Sequence, residues 1–96
     1  GLLSGILFED IVIDNIRPNG RPISVWQKPS QGVCTMEDVV FRNIRIISES
    51  GCGSSSVYSN GNIIKGLKFQ NVTYNSAPIQ DSGKWIVKGS DIDISY

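Results

Sequence analysis

The sequence predicts an all-β chain whose short strands stack as the parallel coils of a solenoid. Three observations carry that expectation. The 96 residues hold 14 Ile and 8 Val against 4 Leu and 1 Ala. β-Branched side chains suit a pleated, half-buried surface, whereas Ala and Leu are the strongest helix formers. The 10 Gly, 13 Ser and 7 Asn supply turns at short intervals. Most informative, one eight-residue pattern recurs in the same sense along the chain.

The first copy is Ile6-Leu7-Phe8-Glu9-Asp10-Ile11-Val12-Ile13. The second is Val39-Val40-Phe41-Arg42-Asn43-Ile44-Arg45-Ile46. The third is Leu67-Lys68-Phe69-Gln70-Asn71-Val72-Thr73-Tyr74, and a weaker fourth is Val87-Lys88-Gly89-Ser90-Asp91-Ile92-Asp93-Ile94. The shared form is apolar, x, Phe, x, Asn or Asp, apolar, x, apolar. Ile6 and Phe8 alternate onto one face of a strand. The phase breaks at Asp10, because Ile11 follows directly. A polar residue that shifts the phase marks a tight bend, where its side chain can bond backbone groups that the bend leaves unpaired. Stacking the copies aligns Asp10, Asn43, Asn71 and Asp91 in a polar column. It aligns the Phe residues in a second column, and Ile11, Ile44, Val72 and Ile92 in a third. Such ladders stabilise stacked parallel strands.

The coils start near residues 5, 38, 66 and 86, and the chain forms one segment over 1–96. Unequal spacing with constant strands is the mark of a solenoid whose loops bulge between fixed coils. Each coil needs a return strand, and Pro22–Trp26, Ser56–Tyr58 and Ala77–Ile79 are placed for that role. Asn19-Gly20 and Asn60-Gly61 suit turns with positive φ. A sandwich of hairpins is the alternative, but it explains neither the repeated phase break nor the same-sense repetition.

Composition also restricts function. Nine basic and nine acidic residues give zero formal charge, which argues against nucleic acid and against a polybasic membrane contact. No run of about 18 apolar residues is present to span a bilayer. The absence of His removes Ser-His and Cys-His pairs and His-ligated zinc from these residues. No cofactor or metal is expected. The start at Gly1, without Met, leads to the expectation of a piece of something longer.

The strings Gly5–Ile13, Asp38–Ile44 and Ile64–Val72, with Ala77-Pro78-Ile79 and Trp85–Gly89, resemble the coils of a right-handed parallel β-helix of the pectin-lyase type. More narrowly, they are similar to the C-terminal coils of glycoside hydrolase family 28, the polygalacturonase-like enzymes, and of related dextranase-type enzymes. The resemblance covers nearly the whole chain, and it implies a secreted or periplasmic protein acting on polysaccharide. The family's Asn-Thr-Asp, Asp-Asp, Gly-His-Gly and Arg-Ile-Lys motifs are absent; Arg45-Ile46-Ile47 is the nearest string and has no Lys. No catalytic residue is therefore assigned.

Glycoside hydrolysis needs two carboxyl groups roughly 5–9.5 Å apart. Glu9 continues outward as Arg42, Gln70 and Ser90, which reads as an ion pair and polar padding. Asp14, Glu49 and Asp93 read as solvated charge. Saccharide contact is the stronger candidate, since sugars stack on aromatic rings flanked by amides and cations. The candidate residues are Trp26, Gln27 and Lys28 with Arg21, and Tyr58 one coil on, beside Asn60. Trp85 is the other large candidate; for Trp26 and Trp85 alike the alternative is that the ring packs over a loop or closes the open end of the stack. Cys34 and Cys52 either form a disulfide or stay as thiols. Asn71-Val72-Thr73 is a formal glycosylation acceptor read as structural.

Two functions from different classes follow. One is a non-catalytic C-terminal β-helix segment of a polysaccharide-degrading hydrolase. The other is a standalone carbohydrate-binding or structural solenoid of the adhesin or phage-fibre type. The expected partners are a polysaccharide or oligosaccharide and, at the N-terminal face, preceding coils or a second copy.

Overall fold

The computed structural model describes residues 2–14, 18–26, 35–49 and 51–96. They are all-β. Three long strands, β1 (Leu2–Ile13), β3 (Thr35–Ile46) and β5 (Ile63–Tyr74), are joined by the short strands β2 (Ser24–Trp26) and β4 (Ser55–Tyr58). After β5 come β6 (Ala77–Pro78), a 3₁₀ turn at Ile79–Asp81, β7 (Trp85–Lys88) and β8 (Ile92–Ser95). One sheet runs β1-β3-β5, with β6 and β8 both on β5; the other runs β2-β4-β7. Every pairing is parallel except the two-residue contact of β6 with β5. From β1 to β5 the chain alternates between the two sheets, each strand lying beside the one two elements earlier.

Register follows the repeat. Phe8 pairs with Phe41, and Phe41 with Phe69; Ile11, Ile44 and Val72 form the next column. The Phe rings stack at centroid distances of 4.8 and 5.0 Å, with interplanar angles of 14° and 13°. The bend residues Asp10, Asn43 and Asn71 have φ of 58°, 54° and 54°. Asn and Asp tolerate this left-handed conformation because their short side chains bond locally. Here the bonds run between strands. Asn71 Nδ2 donates to Asn43 Oδ1 at 3.0 Å, and Asn43 Nδ2 donates to Asp10 Oδ1 at 3.1 Å.

A second left-handed column, which the repeat did not disclose, runs through Gly5, Asp38 and Gly66 at φ of 66°, 54° and 62°. Each long strand is thus bent twice, and the side-chain phase shifts at both bends. Leu3, Ile6, Phe8, Ile11 and Ile13 therefore share a face despite their uneven spacing. At Gly66 a Cβ would stand 2.9 Å from Asp38 Oδ1, so a side chain there has to displace that carboxylate.

The fourth copy is corrected. Val87 pairs with Val57 in the second sheet, whereas Ile92 pairs with Ile64 and Ile94 with Leu67. The string Val87–Ile94 is thus divided between two sheets. Asp91 has φ 55° but lies beside Ile64, where its carbonyl accepts the Ile64 N–H at 3.0 Å, and not beneath Asn71. Gly89 replaces no Phe. It turns the chain past Ser59, whose Oγ a Cβ would strike. Ser90 consequently leaves the outward column of Glu9. The third return strand is likewise Trp85–Lys88 in place of Ala77–Ile79. Ala77 and Pro78 fold back on Tyr74 and Thr73 through Asn75 and Ser76, both at positive φ.

One apolar cluster joins the sheets: Val39, Ile44, Ile46, Ile64, Leu67, Phe69 and Val72 from the first, Ile23 beside it, Val25 and Val57 from the second, and Ile79 from the 3₁₀ turn. Burial is uneven along the stack. Phe69 is 2% exposed and Phe8 41%. Beyond Phe69 lie the Trp85 ring, edge-on at 4.8 Å, and the Tyr96 ring at 6.1 Å. Trp85 Nε1 donates to the Tyr96 hydroxyl at 2.7 Å. Of the roles open to it in the sequence, Trp85 takes that of packing on the end of the Phe column. Among the described residues, nothing pairs with the other edge of β1.

Candidate saccharide-contact face

The second sheet sets the candidate face by simple alternation. Val25 and Val57 point inward, 7% and 0% exposed. Their successors Trp26 and Tyr58 are direct partners, and Lys88 is the next in the row. Adjacent strands lie about 4.8 Å apart, so the row sets an indole, a phenol and an ammonium side by side. Trp26 is 55% exposed, Tyr58 is half-buried and Lys88 is exposed. A shallow concavity lined by Tyr58, Asn60, Gly61, Lys88, Gly89 and Ser90 adjoins the row. The Asn60-Gly61 turn that forms its rim has φ of 50° and 82°, as the dipeptide implied.

The row sets two aromatic rings beside a cation on the surface. Aromatic rings supply flat apolar area, and a cation next to them meets a hydroxyl or carboxylate. Trp26 and Tyr58 are brought together as expected. Arg21 is not brought to them: its Nη1 donates to the Ser54 carbonyl at 2.9 Å, at the start of β4, while Trp26 and Tyr58 end their strands. The same junction is fixed by Gly53 N–H donating to the Gly20 carbonyl at 2.7 Å. Gln27, Lys28 and Cys34 lie outside the described residues. Lys88 was missed because the fourth copy was read as one strand; Val87-Lys88 repeats the Val-aromatic spacing of Val25-Trp26 and Val57-Tyr58, which was the available signal.

The carboxylates fall elsewhere. Glu9 Oε2 accepts from Arg42 Nη1 at 2.9 Å, and Arg42 Nε donates to Gln70 Oε1 at 3.0 Å. That outward column is an ion pair with polar padding, and an exposed pair of this kind contributes about 0–1 kcal/mol. Asp93 Oδ2 accepts the Gly66 N–H at 3.1 Å. Among the described residues no three His, Cys, Asp or Glu side chains gather to hold a metal, and no helix is long and apolar enough to cross a membrane. Asn71 spends its amide on the ladder, which is the structural role read for the Asn-Val-Thr string.

Cys52 is a buried thiol. Its Sγ lies 3.7 Å from the Tyr74 hydroxyl. That contact, and burial after it, raise the Tyr74 hydroxyl above the usual phenol range. No protein family, curated protein or solved structure matches the chain.

Proposed function

We propose that the chain is a stretch of right-handed parallel β-helix, the non-catalytic C-terminal segment of a secreted or periplasmic, polygalacturonase-like hydrolase, and that it meets the saccharide along Trp26, Tyr58 and Lys88. One observation carries the reading. The chain alternates between two parallel sheets, with Phe8, Phe41 and Phe69 in register, and this sets exposed Trp26 beside half-buried Tyr58. An aromatic row along stacked strands matches a linear glycan, whose successive rings present repeated apolar faces.

Trp26 fluorescence tests it. Titration with oligogalacturonate and with dextran oligosaccharides should shift and saturate the emission for at least one of them. The response should vanish in Trp26→Phe, with Trp85 as the remaining indole. Binding should weaken about tenfold in Tyr58→Ala. No response to either glycan at millimolar concentration overturns the reading. No reducing ends should be released; release abolished by one Asp or Glu substitution overturns the non-catalytic assignment. The second reading, a standalone carbohydrate-binding or structural solenoid of adhesin or phage-fibre type, is favoured by the row being supplied wholly within this chain. Joining the preceding reading frame separates the two: cleavage gained supports the first, and binding without cleavage the second.

A further inference from the structure

Among the described residues the outer edge of β1 has no partner strand, and its chemistry restricts what could pair there. β1 is a 12-residue strand paired with β3 along one edge. The backbone groups on its other edge are a template for another strand. Inward Leu3 is 47% exposed and Phe8 41%, although their partners one strand in, Met36 and Phe41, are only half-exposed or less. The two polar ladders also end here, and both end on carboxylates. In the bend ladder each amide donates toward β1, and Asp10 receives the last donation. An ionised carboxylate only accepts, so Asp10 cannot pass a hydrogen bond onward. The next rung must donate to it. Beside it Glu9 receives Arg42 through Oε2, and a strand on the far side at this register meets Glu9 with its own side chain.

We propose that the free edge of β1 takes a parallel strand of the β3 kind: an aromatic residue over Phe8, a cation over Glu9 and a side-chain donor over Asp10. The sequence Val39-Val40-Phe41-Arg42-Asn43-Ile44-Arg45-Ile46 satisfies all three positions, and β3 already meets β1 in that register on the other edge. A second copy offering its own free β1 edge meets this one antiparallel about a two-fold if the inner faces are to stay on one side, so it cannot repeat the parallel Phe, Arg and Asn rungs of β3. Centred here, it brings Glu9 and Asp10 against acids, which like-charge repulsion disfavours. The preferred occupant is therefore a further coil with the Phe-cation-amide pattern. The inference rests on the stacked-strand part of the proposed function and not on saccharide contact, so failure of glycan binding leaves it untouched.

The test is a labelled peptide with the sequence of residues 35–46 titrated into the full chain, followed by anisotropy and by hydrogen exchange of the β1 amides. Saturable binding that protects β1 and leaves β3 protection unchanged is the expected result. Arg42→Glu with Asn43→Asp in the peptide should weaken binding about tenfold or more, and Glu9→Gln in the chain should weaken binding of the parent peptide. Equal binding of the charge-reversed peptide, loss of β3 protection through strand displacement, or no binding overturns the proposal. So does a β1-mediated dimer of the chain that the peptide fails to dissociate in sedimentation.

Discussion

Asn43 performs three tasks at one position. It adopts φ 54°, donates to Asp10 and accepts from Asn71. Asn43→Ala loses both side-chain bonds and leaves a β-carbon in the left-handed region, so it should cost about 1–3 kcal/mol. Asn43→Gly keeps the loss of the ladder but relieves the backbone strain, so its urea midpoint should fall between Ala and the parent. Equal midpoints for Ala and Gly would remove the conformational part of the argument. The Phe column gives a second series. Phe69→Ala should cost about 3–5 kcal/mol, and Phe8→Ala clearly less, because Phe8 is 41% exposed against 2% for Phe69. Equal losses at the two positions would mean that the edge of the stack is covered in solution. Tyr74 gives a pH signature. Its hydroxyl binds a proton more tightly in the folded chain than in the unfolded one, where a phenol titrates near pH 10. The folded state therefore holds more protons than the unfolded state above about pH 10, and this contribution to stability, complete at lower pH, drains away as pH rises through the folded value. Tyr74→Phe should flatten that alkaline limb in thermal melts.

At the scale of elements, the long strands depend on two bends each. Gly66→Ala should be costly because φ is 62° and the new Cβ would press on Asp38 Oδ1 at 2.9 Å. Gly5→Ala shares the unfavourable φ, but open space surrounds the site. Gly66→Ala should therefore lower the melting temperature more than Gly5→Ala, and the reverse order would show that the second bend column is misplaced. This column also marks where sequence reading stopped. Phe8, Phe41 and Phe69 are chemically identical and announce their register, as do Asp10, Asn43 and Asn71. Gly5, Asp38 and Gly66 differ in kind and are equivalent only in backbone angle, which no side-chain comparison displays. The fourth copy misled for the converse reason. Val87-Lys88 and Asp91-Ile92 are each good strand pieces, but the tight turn at Gly89 sends them to different sheets. On the candidate face, Trp26 and Tyr58 were legible because each follows an inward Val. Arg21 was grouped with them on sequence proximity alone, and its distance from them depends on the Gly20–Gly53 contact made across the sheet.

Across the whole molecule the two ends of the stack differ. Trp85, Tyr96, the Tyr74–Ala77 turn and buried Ile79 cover the far side of β5, while β1 keeps Leu7 50% and Val12 56% exposed outward as well as its half-open inner face. Native-state hydrogen exchange should therefore rank β5 slowest and β1 fastest among the long strands, since local opening follows local burial. The asymmetry was only half legible in advance. An open first strand follows from the repeat, whereas at the other end the sequence offered Trp85 as one candidate cap and no sign of its partner Tyr96, which the pattern does not contain.

The spacing of the rungs has a kinetic consequence. Asp10 and Asn43 are 33 residues apart, and Asn43 and Asn71 are 28 apart. No long strand finds its neighbour until a loop of that size has closed, and domains dominated by such distant pairings fold in roughly milliseconds to seconds, not microseconds. The first closure bears most of the delay, because the pair it creates then serves as a mould for every later arrival. β3 lies between β1 and β5 and is the natural seed, so refolding should slow most for substitutions at its buried Ile44 and Val39 and least for those in β8. That order of assembly runs outward from the middle, and it leaves β1, the outermost described strand of its sheet, with an edge to offer.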